Sequence, residues 1–574
     1  HKLGNTRGWR WPKICKYVKH KSMLIRTIIF LLIFNISSIN LHAAQFIPPQ
    51  VGDYLVAKIS SDSNDYSVTK RYYQRLHRSN PNDLLALDRL LLLSILDGDL
   101  LSANNYSFKL AKAGCDKNVN SCCMNNQSPQ GHLVNGISYL NSYKPGFADQ
   151  SFASIWRGNL SDSTFVRLLR AWVWADSNTI DKSMALIDLI STGEHQHLTL
   201  VHKALIYDYA DEIELAEVFY DQSLSVQRDL YVLRLYYNFL HRNNLTEKKD
   251  AFADEFLSSY DEEFQNKFLT SNKNRIIQNP LQGIGVVLFN SQLLIEDLNE
   301  ELAHMLYQLA IDTSPNLHEI KYIFASFLNQ LENHDKAREV LSYIPKKHYL
   351  GNFAAIQISD AYSYEGNNEK AIQNLNTFVE VDDSFEAYLS LGNYHRYEKN
   401  WSDAIDNYDH ALKLGKKFDK ENIWEVYFNI GIVHERSKNW KLAEKNLKRS
   451  LKLSEDQADV LNYLGYSYID MDQNISEAKV MIEQAMELKP NDPYIVDSLA
   501  WYYFKVGKYN EALSLLEFSL DMMPYDPTVN DHYGDVLWKL GNELEARFYW
   551  QKAIDLDQEN IFEDKVKIKL LKGI

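Results

Sequence analysis

Residues 490–523 read PNDPYIVDSLAWYYFKVGKYNEALSLLEFSLDMM, and residues 524–557 read PYDPTVNDHYGDVLWKLGNELEARFYWQKAIDLD. The preceding residues, from Ala458, follow the same pattern, so the stretch up to Asp557 repeats one unit three times. The matching positions, 34 or 35 residues apart, are Leu464-Gly465, Leu499-Ala500 and Tyr533-Gly534, then Ala478, Ala512 and Ala546, then Ala485, Ser519 and Ala553. Self-similarity at this period predicts stacked helix–turn–helix units.

The residue types at these positions have a physical reason. A small residue in the first helix of a unit lets the second helix approach closely, and small residues seven apart in the second helix lie on one face. Asp492 and Asp526 can each cap a helix that begins with the following proline, because a proline at the first position needs no N–H partner. Gly507 and Gly541 are placed to turn the chain inside each unit.

This pattern resembles the tetratricopeptide repeat (TPR) family, of the exported bacterial multi-TPR type. The resemblance implies an all-α fold: a right-handed superhelical solenoid of antiparallel helix pairs. It also implies that the first helices line a concave groove in which protein or peptide segments bind. It names no particular partner, since fold alone does not define function.

Weaker versions of the pattern predict the domain organisation. Residues 44–283 are expected to form divergent TPR-like repeats, interrupted by a cysteine-containing insert near 113–130. The polar stretch 258–283 is placed as the main boundary, and residues 284–557 are expected to form the TPR array. Residues 558–574 are predicted to be a polar, lysine-rich C-terminal cap that covers the last apolar face.

The N-terminus carries the pattern of a targeting signal. A short positive start at Met23 is followed by an apolar run of roughly ten residues and by small residues near Ala44. We expect a signal peptide over about 23–43, with Met23 as the start and 1–22 as upstream residues. The protein is therefore predicted to be exported, in the periplasm or at the cell envelope. The alternative is that the segment is retained as a membrane anchor, which would be the only source of membrane contact.

Composition and motifs narrow the classes of function. The formal net charge of −15 disfavours a nucleic-acid backbone binder, which needs a basic face. No nucleophile elbow, HExxH, Walker A or dinucleotide motif occurs, so no catalytic, cofactor-binding or metal-binding residues are predicted. Cys115 can form a disulfide with Cys122 or Cys123 in an exported protein, and a zinc site is the alternative. The histidines around His197 fit no established metal-ligand spacing.

The candidate site is a row of aromatic and acidic residues on the first helices of the regular repeats. Aromatic anchors surrounded by polar groups are typical of binding hot spots. Such a row favours a partner segment bearing apolar and basic residues, because its carboxylates attract lysine or arginine. The predicted partner-binding residues are Tyr397, Phe428, Tyr466, Tyr494, Asp497, Trp501, Phe504, Asp531, Asp535 and Trp538.

The sequence therefore predicts a non-enzymatic scaffold that binds protein segments in its groove and supports complex assembly at the cell envelope. One alternative is a membrane-anchored scaffold of the same kind. Another is an enzyme or carbohydrate-processing accessory with a pocket in the N-terminal half, near residues 113–162. Converging polar groups in such a pocket would favour the enzyme, and a continuous groove would favour the scaffold.

Overall fold

A computed structural model describes residues 49–62, 66–113, 128–155, 163–190, 193, 195–270, 274–295, 298–557 and 563–574. All regular elements in these ranges are helical, and none is a β-strand. The predicted all-α array of helix pairs is confirmed. The predicted signal peptide and Cys115, Cys122 and Cys123 lie outside the described residues. Within the described ranges, no helix combines the length and apolar character needed to cross a bilayer.

The chain divides into two compact units, one ending at Asp382 and the other running from Asp383 to Ile574. Successive helices in each unit pack against one another as pairs. The helices described in the first unit are α1 Pro49–Asp62, α2 Tyr66–Ser79, α3 Leu84–Leu96, α4 Leu100–Ala113, α5 Pro129–Asn141, α6 Pro145–Ala153, α7 Thr164–Val173, α8 Ile180–Asp188, α9 Gln196–Tyr209, α10 Ile213–Val226, α11 Leu230–Arg242, α12 Thr246–Phe252 with a π-helical turn Ala253–Leu257, α13 Glu262–Phe268, α14 Pro280–Phe289, α15 Ser291–Leu294, α16 Glu300–Thr313, α17 His318–Gln330, α18 His334–Ser342, α19 Gly351–Tyr364 and α20 Asn368–Val379.

The described residues of the second unit form five helix pairs and a final helix. Its described helices are α21 Phe385–Tyr397, α22 Trp401–Lys417, α23 Ile423–Arg436, α24 Trp440–Leu453, α25 Ala458–Asp470, α26 Ile475–Leu488, α27 Pro493–Lys505, α28 Tyr509–Met522, α29 Pro527–Lys539, α30 Glu543–Leu556 and α31 Glu563–Lys572. The odd-numbered helices from α21 to α29 are the first helices of the five pairs, and α31 is the predicted C-terminal cap.

The structure divides the chain about a hundred residues later than the predicted boundary at 258–283. Residues 284–382 belong to the first unit because their helices pack on much earlier ones. A Cβ atom at Gly283 in α14 would lie 2.2 Å from the Trp172 ring of α7. Arg89 in α3 forms an ion pair with Glu301 in α16 at 2.7 Å. The repeat pattern is therefore weaker around residues 258–283 because the repeats diverge there. The hydrophobic core of the first unit continues on both sides of this stretch.

The local signals that predicted the repeat boundaries operate as expected. The Asp492 carboxylate accepts a hydrogen bond from the Tyr494 amide at 3.0 Å, and Asp526 accepts from the Thr528 amide at 2.8 Å. Each aspartate thus satisfies an N–H group that the first turn of a helix leaves unpaired. Gly507 and Gly541 have φ values of 78° and 89°, a left-handed conformation that glycine adopts without a Cβ penalty.

Candidate partner-binding surface on the first helices

Close helix contacts within each pair set the position of the first helices. A Cβ atom at Gly465 in α25 would lie 2.9 Å from Ile482 Cγ1 and 3.1 Å from the Ala478 carbonyl oxygen of α26. At Gly534 in α29, a Cβ atom would lie 2.6 Å from the Trp550 ring of α30. Any larger residue would push the two helices apart, so the small residues predicted from the sequence fix the separation within a pair.

The ten predicted site residues fall into three groups by burial. Tyr397 and Tyr494 are about half exposed, at 50% and 57%. Phe428, Tyr466, Phe504 and Trp538 are partly buried, and so they keep some surface for a partner. The remaining four residues are buried, and they are Asp497, Trp501, Asp531 and Asp535.

Trp501 is a correction to the expectation of an exposed groove anchor, since it is only 5% exposed. Its indole is stacked between the Phe504 ring, at a centroid distance of 4.7 Å, and the His532 ring, at 4.1 Å. The His532 ring comes from the next first helix, α29, and covers the indole face that a partner would otherwise contact. Trp501 therefore holds two neighbouring repeats together.

Asp497 is also already paired within the protein. Its two carboxylate oxygens lie 3.0 and 3.1 Å from His532 Nδ1. Burial by itself lowers the pKa of His532, but the nearby carboxylates Asp497, Asp531 and Asp535 together raise it above its usual value. The imidazolium form is thus favoured, and it joins α27 to α29 through a charge-assisted hydrogen bond.

The acidic pair in the last repeat is a further correction. Asp531 and Asp535 were expected to attract a partner's lysine, but Lys569 of helix α31 already lies between them. Its Nζ atom is 2.6 Å from Asp531 Oδ1 and 2.7 Å from Asp535 Oδ1. Trp550 Nε1 donates a second hydrogen bond to Asp535 Oδ1 at 2.8 Å. The predicted cap is therefore not simply a solvating helix, because it inserts a buried cation into the row.

The middle of the row keeps unused hydrogen-bonding capacity. In α25 the Tyr466 ring contacts the His532 ring at a centroid distance of 6.1 Å, and Tyr463 of the same helix contacts Phe428 at 5.7 Å. Within the part of the chain that the structure describes, neither Asn462 Oδ1 nor Trp501 Nε1 has a hydrogen-bond partner, and both atoms are buried. A buried acceptor and donor left unpaired cost free energy in the folded protein.

Tyr466 and Glu425 show the low polarity of this surface. Burial raises the pKa of the Tyr466 hydroxyl, and the carboxylates Asp470, Asp497 and Asp531 raise it further. Burial also raises the pKa of Glu425 to about 7, although Arg396 opposes the shift. Contacts made here are consequently less screened by water than contacts on an open surface.

The sequence interpretation missed two residues that organise the row, His532 and Lys569. Position 532 carries histidine where the four preceding units have the smaller or neutral residues Ser390, Asn429, Tyr463 and Ser498. That departure from the repeat, next to Asp531, was a usable signal. Lys569 had no such signal, because α31 contains three other lysines.

The described part of the first unit contains a cavity that bears on the enzyme alternative. A cavity of about 410 Å³ lies between α10, α11 and the π-helical turn, away from the predicted pocket near 113–162. Three of its lining residues pair with one another: Lys248 forms an ion pair with Asp221, and the Tyr236 hydroxyl donates to Asp221 at 2.6 Å. Much of the predicted pocket region, namely 114–127 and 156–162, lies outside the described residues.

The histidines near His197 also have structural roles. His197 contacts Asp229 through Nε2 at 2.9 Å and the Ser223 carbonyl oxygen through Nδ1 at 3.0 Å. His202 is buried and accepts a hydrogen bond from Trp172 Nε1 at 3.0 Å. Burial lowers the pKa of His202 to about 3. No group of three potential ligands in the described ranges is arranged to hold a metal ion.

Comparison with known proteins supports the repeat assignment. Two family models described as tetratricopeptide repeat match residues 383–456 and 528–560. A TPR repeat-containing protein of Pseudomonas aeruginosa is 40% identical over 57 residues, a match that spans 10% of this chain and 10% of that protein. The chain is also similar in structure to a tetratricopeptide repeat protein from Parabacteroides merdae, with 14% identity, 44% and 97% coverage of the two chains and a TM-score of 0.35. For the APC/C hetero-tetramer Cut9-Hcn1 the values are 14% identity, 92% and 96% coverage and a TM-score of 0.39.

Proposed function

Because the chain is a multi-TPR protein, and such repeats form protein-interaction scaffolds, we propose that it is a non-enzymatic scaffold that binds a protein segment along the first helices of its second unit. The observation that carries the proposal is the row from Phe428 through Tyr466 to Phe504. These aromatic side chains are partly buried and lie on three successive first helices, α23, α25 and α27.

The chemistry of the row indicates what kind of segment binds. The partly buried rings of Phe428, Tyr466 and Phe504 provide apolar contact area for a bound segment. Asp470 is exposed at the end of α25 and adds negative charge beside Tyr466. A segment with apolar and basic side chains matches these features.

The proposed location is the cell envelope. The apolar run after Met23, with small residues near Ala44, supports export through a signal peptide. If the same segment is retained, the scaffold would be attached to a membrane by its N-terminus. In either case we propose that the repeats assemble proteins of an envelope complex.

Site-specific photo-cross-linking tests the binding surface. The full chain would carry p-benzoylphenylalanine in place of Tyr466, and a matched control would carry it in place of Phe548. Phe548 is 63% exposed but lies on α30, a second helix. In a native envelope fraction, we expect a discrete adduct from position 466 and none from position 548.

Affinity for the protein identified in that adduct gives the second measurement. Phe428→Ala combined with Phe504→Ala should weaken binding by about 2 kcal/mol or more if these rings are hot spots. Phe548→Ala should leave the affinity unchanged. Equal adducts from both positions, or an affinity that the double variant does not change, would refute the proposed surface.

A further inference from the structure

The C-terminal helix α31 covers the last part of the row with a single buried cation. Lys569 is 6% exposed, and Asp531 and Asp535 are each 3% exposed, so the three charges meet out of contact with bulk water. Val566, one turn earlier in α31, is fully buried in the core that Val536 and Trp550 also join. At the end of α31, a Cβ atom on Gly573 would lie 2.0 Å from the Trp538 ring. The helix thus lies against three of the predicted partner-binding residues.

The acidic pair needs a cation to remain buried. Asp531 and Asp535 are four residues apart and therefore on one face of α29. Asp497, near the same His532, adds a third carboxylate, so the three acids exceed the charge of that one imidazolium. Removing the Lys569 ammonium would leave two adjacent buried carboxylates without their counterion, which is strongly unfavourable. A partner that displaced α31 would have to supply a replacement positive charge.

The geometry also selects the kind of cation. Both carboxylates contact one Nζ atom, at 2.6 and 2.7 Å, and Trp550 Nε1 already donates to Asp535. A compact ammonium fits this arrangement, whereas a guanidinium needs a planar, two-pronged acceptor. Lysine is therefore preferred to arginine at this position.

We propose that α31 is an intramolecular occupant of a lysine-binding site, and that the partner presents a short helical segment whose lysine replaces Lys569. This inference rests on the proposed function, and it adds both the chemistry of the partner and a control on its access. The pattern that α31 itself presents is Val566, then Lys569, then the partly buried Leu570. A partner segment would carry an apolar residue three positions before a lysine and a second apolar residue directly after it.

Two backbone carbonyl groups near the end of α31 accept hydrogen bonds from the last repeat. Besides Lys569 and the apolar contacts, Arg547 donates to the Leu570 carbonyl oxygen and Lys539 donates to the Ile574 carbonyl oxygen. The helix has only ten residues, fewer than the roughly 12–15 that an isolated helix needs for marginal stability in water. Its order therefore depends on the site. Because it is covalently linked, its effective concentration at the site is in the millimolar range, so a free competitor binds the intact protein weakly.

A peptide competition experiment tests this inference with a defined probe. A fluorescent peptide of residues 558–574, QENIFEDKVKIKLLKGI, would be titrated with the full chain while anisotropy is measured. Lys569→Gln in the full chain should weaken the internal helix and increase peptide affinity by about tenfold or more. Lys565→Gln, an exposed lysine of the same helix, should leave the affinity at the wild-type value.

Changes in the peptide test the preference for lysine. The Lys569→Gln full chain should bind the unmodified peptide more tightly than the wild type does. A peptide with glutamine at position 569 should show none of this increase in affinity, and a peptide with arginine there should show much less of it. Val566→Ala in the full chain provides a second route, because it loosens α31 through an apolar contact and keeps every charge. It should also increase peptide affinity, and circular dichroism would verify that each variant keeps its helical content.

Two results would overturn the inference: peptide affinities within twofold of wild type for both Lys569→Gln and Val566→Ala, or equal binding of the lysine and glutamine peptides. Either would assign α31 a purely structural role. These outcomes leave the proposed function intact if the cross-link from position 466 persists. If position 466 gives no cross-link but both variants bind the peptide more tightly as expected, the proposed binding surface is refuted and the lysine-binding site is supported.

Discussion

Replacing Trp501 by alanine should destabilise the second unit, although the residue type and its position suggested a binding anchor. The indole is 5% exposed and is stacked on both Phe504 and His532. Truncation of a buried tryptophan or phenylalanine to alanine typically costs about 3–5 kcal/mol. The cavity would lie between α27 and α29, so the cost should be in the upper part of that range if the two helices cannot close on it.

Urea denaturation followed by circular dichroism, together with hydrogen exchange of residues 493–539, would measure this effect. Exchange is needed because repeat arrays can open locally, and a single global transition would then hide the change. Phe548→Ala, which removes an exposed ring from α30, is the matched control and should change stability by no more than about 0.5 kcal/mol. The assignment of Trp501 to the packing between repeats would be refuted by two results together. Trp501→Ala would lower the free energy of unfolding by less than about 1 kcal/mol, and hydrogen exchange in α29 would be no faster than in the wild type.

Three further predictions follow from the packing, the charges and the N-terminal pattern. Gly465→Leu should destabilise the second unit by about 1–3 kcal/mol or more, because its side chain would collide with Ile482, and a thermal melt unchanged from wild type would show that the helices can separate freely. Since the pKa of His532 is raised above its unfolded value of 6.5, its stabilisation is fully present below pH 6.5 and is lost as the pH rises through the folded pKa. The urea midpoint should therefore fall with rising pH above 6.5 in the wild type, and less steeply in His532→Gln. N-terminal sequencing of exported protein should begin near Ala44, whereas an intact N-terminus in the membrane fraction would indicate an anchor.

The comparison of sequence with structure separates local features from long-range ones. Asp492 and Asp526 could be identified as caps because a cap depends on residues two or three positions away in the chain. Gly507 and Gly541 could be identified as turns for the same reason. The domain division could not be identified from the sequence, because it depends on long-range contacts such as that of Gly283 with Trp172. No local sequence pattern predicts such a contact.

The candidate site shows the same division. A helical period places Asp497, Trp501, Asp531 and Asp535 on the first-helix row, and the structure puts them there. Their burial depends on His532 and Lys569, which are 35 and 38 residues from their partners Asp497 and Asp531. The sequence alone therefore determines the repeat period, the small residues at helix contacts and the helix caps, because each of these features depends on residues within one unit. Which side chains of the row remain open to a partner was decided only by tertiary structure, because burial is a property of the neighbours that folding brings together.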